Sequence, residues 1–389
     1  MTATTPSPAA PGLLYSDVED DLRAAVRSVL ADRCGPAAVL GRIETDEPYD
    51  PALWRVLGGE LGLAGLLVPE EYGGQGGTAR EAAVVLEELG GAVAPVPFLG
   101  SAVLAASALL GCAGAGEPGE AAAALLGRLA AGGVTAALAV PLSAAPGGGF
   151  PAGVRADAAG RLSGRVTSVA DAVGAGVLVV PAEGPDGPGL HEVAAESVVL
   201  RRPVSLDLTR PLTDVTLDGA PGRPLATGET ARAALERALL TGAGLLASEQ
   251  LGTAQWCLDG TVGHLKQRHQ FGRVLGSFQA LKHRLADLWL EVVSARAAAR
   301  NAAAALASWE SPAQAAEAEI AVAVAQAYVS PVAVRAAEEA VQLHGGIGMT
   351  WEHPAHLYLK RAKADEIALG SPGHHRRRLA ALVDLPPAP

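Results

Sequence analysis

The stretch that most restricts how this chain can fold runs from Arg268 to Gln279 and reads Arg-His-Gln-Phe-Gly-Arg-Val-Leu-Gly-Ser-Phe-Gln. It separates two long helical patterns. Gly242 to Lys266 is a mostly apolar run without proline. From Ala280 to Leu306, residues Leu281, Leu285, Leu288 and Val292 recur at helical spacing. A connection between helices needs little more than one glycine and a polar residue or two. This one gathers two arginines, a histidine, two phenylalanines and two glutamines, in a protein that is only 4% aromatic.

Around that stretch the chain changes texture twice. Residues 1–12 are rich in Thr, Ser, Pro and Ala and read as a disordered tail. Ser16 and Glu19 have capping-box spacing and open a helix over Asp17 to Ala31. Further helices are expected over 79–89, 100–110 and 120–131, making residues 13–134 an all-α domain. From 135 to 222, short runs of valine and leucine alternate with Gly/Pro breaks, at 136–140, 162–169, 177–180, 197–201 and 215–217. These are strand-length pieces, so a β domain is expected there. From 227 to 389 the pattern returns to helix, and the fold class read from the sequence is α+β.

Composition excludes several functions. The net charge is -11 with no Arg/Lys-rich stripe, which argues against a nucleic-acid partner. Cys34, Cys112 and Cys257 are scattered and odd in number, which fits a reduced compartment and offers no metal site. The N-terminus lacks a basic start, so no signal peptide is read and a cytoplasmic location is expected. Phe98 to Gly116 is uncharged but diluted by small residues and lacks basic flanks, so it reads as a buried helix rather than a membrane span.

A second marker lies downstream, Ala340-Val341-Gln342-Leu343-His344-Gly345-Gly346-Ile347-Gly348-Met349. Together with Arg268-x-x-Phe271-Gly272 and Ser277-Phe278-Gln279 it resembles the acyl-CoA dehydrogenase family, and Pro69-Glu70-Glu71-Tyr72-Gly73-Gly74 resembles that family's N-terminal turn. The resemblance implies an N-terminal helical domain, a middle β-barrel or sandwich and a C-terminal four-helix bundle. It also implies FAD as cofactor and an acyl-CoA thioester as substrate, with electron-transfer flavoprotein or a similar acceptor. Arg268 would pair with the FAD pyrophosphate, and Phe271 would give apolar contact. Gln279 and Gln342 would bond to the adenosine half, while Gly345 and Gly346 would let backbone come close. In this family these contacts cross a subunit boundary, so a homo- or hetero-oligomer (dimer or tetramer) is implied. Each residue alone has a plainer explanation, as a helix-end charge, a core ring or a helix stop. As a set in register they carry the resemblance.

The departures are as informative. The family's base, a glutamate that takes the substrate's α-proton, falls on Leu369 when counted from Gln342. In a second branch it falls on Gly242, counted back from Arg268. Neither residue can accept a proton. Glu236 and Glu249 are the nearest candidates for a relocated base, whereas Asp365 and Glu366 read as helix-surface charges. Arg376-Arg377-Arg378 reads as a solvated helix face. The family's acidic segment and tryptophan step in the β domain are replaced by Pro141 to Gly149 and Val166-Thr167-Ser168-Val169. Leu357 to Lys363, with His374-His375-Arg376, resembles the base-less subunit of heteromeric actinobacterial acyl-CoA dehydrogenases, which often act on sterol side-chain thioesters. The expected function is therefore that of a subunit working with a base-bearing paralogue. The alternatives are a self-sufficient enzyme with a relocated base, and a redox-neutral enzyme or binding scaffold of secondary metabolism.

Overall fold

The computed structural model describes residues 12–47, 49–114, 116–309 and 311–386. The expected tail, apart from Gly12, lies outside the described residues. Helix α1 (Asp17–Arg33) begins at the capping box read from the sequence: the Ser16 hydroxyl accepts from the Glu19 amide, and the Glu19 carboxylate accepts from the Ser16 amide. The short helices α2 (Pro36–Ile43) and α3 (Pro51–Trp54) follow, each opened by a proline. Helix α4 (Ala79–Ala92) has its own capping box at Thr78 and Glu81. The uncharged stretch forms a fully buried π-helical segment, Phe98–Ala105, which runs directly into α5 (Ala106–Cys112); α6 (Gly116–Ala130) closes this domain.

The middle of the chain is one eight-stranded sheet. Its strands are β1 (Ala136–Leu138), β2 (Val154–Ala156), β3 (Arg161–Ala170), β4 (Val177–Gly184), β5 (Gly187–Ala194), β6 (Val199–Arg201), β7 (Leu212–Pro221) and β8 (Arg223–Thr227). Their order is β6-β7-β3-β2-β4-β5-β8, with β1 parallel to β4. The sheet reaches Thr227, beyond the expected limit at 222, because β8 pairs with β5. Side-chain alternation divides β4 between two cores: Val177 and Val179 face the helices, while Leu178 and Val180 join a separate cluster with Leu162, Val193 and Val215.

The C-terminal domain is helical, as expected, with three of its helices long. These are α7 (Gly228–Gln267), α8 (Gln279–Ala307) and α9 (Pro312–His344), packed on one another, with the shorter α10 (Ala355–Asp365) and α11 (Pro372–Leu382) against α9. Among the described residues, Pro312–Met349 is the helical stretch long and apolar enough to cross a membrane, and 67% of its most apolar window is buried inside the protein. Helix α7 ties the molecule together. Where it crosses α4, side chains are absent: a Cβ on Gly252 would strike the Glu87 carbonyl, and one on Gly90 the Glu249 carbonyl. This contact makes the helical domains share one continuous apolar core.

Candidate functional site

At the C-terminal end of α7 the chain turns through a two-stranded hairpin, β9 (His269–Gln270) against β10 (Arg273–Val274). Phe271 and Gly272 both have positive φ, 51° and 73°, the geometry of a tight I′ turn. A phenylalanine there is strained, and its ring is 86% exposed, edge-on to Phe278 at 6.1 Å. Arg273 stacks on the other ring, 3.8 Å from the Phe278 centroid. Arg268 caps α7 through its amide, and its exposed side chain has no ion-pair partner among the described residues. Gln279 is exposed beside His283.

The glycine turn lies next to this hairpin. The His264 ring, one turn before Arg268, packs on His344 at 4.4 Å, and His344 immediately precedes Gly345. Gly345 ends α9 with φ 66°, a conformation that favours glycine. Gly346 has no such need, because its φ is ordinary and a Cβ there would meet nothing within 4 Å. Nothing in its own chain calls for glycine at 346. Gln342, Gly345 and Gly346 all face outward. Ile347 and Met349 in the turn and Trp351 just after it are exposed, as are Trp289 and Leu290 on α8. Arg268, Phe271, Gln279, Gln342, Gly345 and Gly346 thus lie around one open surface built from the ends of α7 and α9.

The other end is closed. Gly242 and Leu369, the two positions at which the sequence reading places a base, meet in space: a Cβ on Gly242 would come 3.1 Å from Leu369 Cδ1. The same Cβ would collide with Leu104, which projects from the buried Phe98–Ala105 segment. Three apolar residues therefore fill the point where two counts converge. Leu369 is fully buried with φ 52°. Its amide donates to the Leu142 carbonyl (2.7 Å), and its carbonyl accepts from His375 Nε2 (2.9 Å). Burial pushes His375 down to about 4, so its ring is neutral.

The Pro141–Gly149 segment lies over this end and is fastened from the helical side. The Gly147 amide donates to Glu236 at 2.8 Å, and His374 Nε2 lies 3.0 Å from the Pro146 carbonyl. Arg378 bonds to both Glu236 (3.3 Å) and Glu319 (2.8 Å). The arginine run read as a solvated face is thus only partly so: Arg376 and Arg377 are exposed, while Arg378 is a fastener. Thr167 points to solvent. Ser168, at a bulge in β3 with φ 56°, donates its amide to Asp214, and its carbonyl accepts from the Leu142 amide.

Glu249 and Asp365 belong to a buried ionic cluster that the sequence reading did not foresee. Arg210 donates to Glu249 (2.6 Å) and Asp365 (2.7 Å). Arg361 donates to Glu249 (2.5 Å), Asp207 (2.6 Å) and the Thr209 hydroxyl (2.6 Å). Asp365 is therefore no helix-surface charge; it is completely buried. Glu366, beside Lys363, is partly exposed as read. Burial pushes the Glu249 carboxyl up, but Arg210 and Arg361 outweigh it and bring it down to about 2. A carboxylate held so low is a poor proton acceptor. The one signal for this cluster in the sequence was Glu249 itself, a charge within the apolar run Leu245 to Leu251 that demanded a buried partner.

An all-α N-terminal domain, a central sheet and a helical C-terminal domain carrying an exposed hairpin and glycine turn define the class of fold. The description "Acyl-CoA dehydrogenase, C-terminal domain" matches residues 231–383, and "Acyl-CoA dehydrogenase, N-terminal domain" matches residues 16–132. The chain belongs to the acyl-CoA dehydrogenase family, whose members are FAD-dependent oxidoreductases acting on acyl-CoA thioesters. It is 36% identical over 368 residues to the acyl-CoA dehydrogenase IpdE2 of Mycolicibacterium smegmatis, covering 95% of this chain and 99% of the relative. Among solved structures it resembles the ChsE4-ChsE5 complex of Mycobacterium tuberculosis (TM-score 0.83, 28% identity, 97% of this chain and 100% of that one). It also resembles a variant of the Tcur3481-Tcur3483 steroid ACAD (TM-score 0.80, 31% identity, 95% of this chain and 98% of that one).

Proposed function

We propose that this chain serves acyl-CoA dehydrogenation as the base-less subunit of a two-component enzyme, lending a cofactor-binding surface to a flavin whose reactive ring lies in a base-bearing partner chain. One observation carries the reading. The two positions at which a base is counted, Gly242 and Leu369, meet in a contact filled by Leu104, while the surface at Arg268, roughly 39 Å away along α7, stays open.

At the open end, Arg268 would take the diphosphate as an unpaired, exposed guanidinium. Gly346, which nothing in its own chain requires, would admit the cofactor or partner backbone, with Gly345 shaping the turn. Gln279 and Gln342 would bond to the adenosine half and Phe271 would cover it. When bound, FAD supplies the hydride acceptor for the substrate's β-carbon. At the filled end Leu369 and Gly242 offer no base, and Glu249, the candidate relocated base on α7, is held by two guanidiniums. Glu236, the other candidate, is occupied by the Gly147 amide and Arg378.

The two-protein complexes among the structural relatives support a heteromeric assembly, and the relative described as a steroid ACAD points to CoA thioesters of steroid-derived acids. The exposed apolar residues of α8 and the glycine turn provide the surface for such a partner. Electron-transfer flavoprotein or a similar protein would accept the electrons, and the buried free thiols suit a cytoplasmic setting.

The test is flavin content after co-purification with candidate base-bearing paralogues. The reading expects one flavin per pair of unlike chains, and its loss on Arg268→Ala in this chain. One flavin per chain, unaffected by that substitution, would refute it.

A further inference from the structure

We propose that Asp365 carries a proton at neutral pH, and that this proton completes a charge-balanced lock between the sheet domain and the C-terminal helices. The cluster places three carboxylates, Asp207, Glu249 and Asp365, around two guanidiniums, Arg210 and Arg361, all of them buried. Counted as ions, they leave a surplus negative charge out of water, which is costly unless a proton neutralises it.

The hydrogen bonds say where that proton sits. Both oxygens of Glu249 accept from guanidinium N–H groups. Both oxygens of Asp207 are also engaged, Oδ1 by the Thr209 amide and hydroxyl and Oδ2 by Arg361. Asp365 differs: Oδ1 accepts from Arg210, while Oδ2 is buried without a partner. Gln250, whose amide nitrogen donates to the Asp365 main-chain carbonyl, likewise has a buried acceptor oxygen without a donor. One proton on Oδ2 removes the surplus charge of these five groups and turns an unpartnered buried oxygen into a donor.

The groups facing Asp365 come from every element around it. Glu249 lies on α7, Arg361 on its own helix, and Arg210 and Asp207 on the segment before β7. Arg210 also feels Asp171, which is itself held by the Tyr49 hydroxyl and the Gly100 amide. Lys360 feels Asp207 and is only partly buried. Burial first, then Glu249, push the Asp365 carboxyl up to about 8 against the pull of Arg210 and Arg361. The lock bears on the filled end of the molecule. Leu369 lies in the turn that directly follows α10, which Asp365 ends, and Gly100, which anchors Asp171, sits on the segment that carries Leu104. This proton is independent of how the chain takes part in catalysis.

The sign follows from linkage. An unfolded aspartate ionises near pH ~3.9, whereas folded Asp365 does so at about 8. Between those values the unfolded state releases the proton and the folded state keeps it, so stability falls as pH rises through this window and levels off above it. The experiment compares melting of the full chain with that of Asp365→Asn, a neutral isostere that can still accept from Arg210. The melting temperature of the variant should gain on that of the wild type as pH rises through the window, and match or exceed it at the alkaline end. A gap between variant and wild type that stays constant through the window would mean that Asp365 is ionised in the folded state as well, overturning the proposal. Infrared difference spectra, wild type minus Asp365→Asn, give a readout that does not depend on unfolding. A protonated-carboxyl carbonyl band at neutral pH, fading as pH passes about 8, supports the proton; its absence refutes it.

Discussion

The two ends of the Gly242–Arg268 stretch of α7 behave oppositely. At one, Gly242 is walled in by Leu104 and Leu369; at the other, the hairpin and glycine turn face solvent, with Arg268 lacking an ion-pair partner among the described residues and the Phe271 ring exposed. The same residue type shows the contrast. Gly242 is required by its own chain, because any side chain would collide, while Gly346 is not. A glycine that the chain's own packing explains is structural; one that it leaves unexplained points outward, to a ligand or a partner.

The comparison can be broken first at the closed end. Glu249→Ala leaves Arg210 and Arg361 without their shared carboxylate and should cost about 3–5 kcal/mol, measured by urea denaturation. A loss below 1 kcal/mol would show that the cluster is not a unit. Leu104→Ala should cost about 2–4 kcal/mol by opening a cavity, without producing dehydrogenase activity; activity gained from that change alone would mean that only a plug separates this chain from a complete enzyme. The paired Gly→Ala substitutions sharpen the contrast. Gly242→Ala should destabilise by about 1–3 kcal/mol through overpacking. Gly346→Ala should leave the isolated chain's stability within about 0.5 kcal/mol while weakening flavin retention or partner binding.

The last effect concerns acid. His375 is held neutral by burial down to about 4 in the folded protein, whereas an unfolded histidine takes up a proton near pH ~6.5. Stability should therefore fall as pH drops through that interval, by up to about 1.4 kcal/mol per pH unit. His375→Gln should flatten that part of a melting-temperature profile.

Much of this architecture was legible in the sequence because its signals are local. The Ser16/Glu19 box, the valine-rich β4 and the helical spacing around the hairpin each depend on neighbours within a turn or two. The counts that put a base at Gly242 and at Leu369 used separate motifs, and the fold brings those residues together. What escaped was non-local. Strands β5 and β8 open with Gly187-Pro188-Gly189 and Arg223-Pro224, which read as breaks; pairing with β4 and an edge position for β8 make them strands. Asp365 read as a surface charge because its partner Arg210 lies 155 residues away. Spacing along α10 carries no trace of that contact.

The most direct measurement is the visible spectrum of the purified chain, recorded alone and with its candidate partner, during anaerobic addition of acyl-CoA thioesters. The account predicts no bleaching of flavin by the isolated chain and bleaching by the complex. Bound flavin that bleaches in the isolated chain would contradict it, because that requires a base and a ring site within this chain.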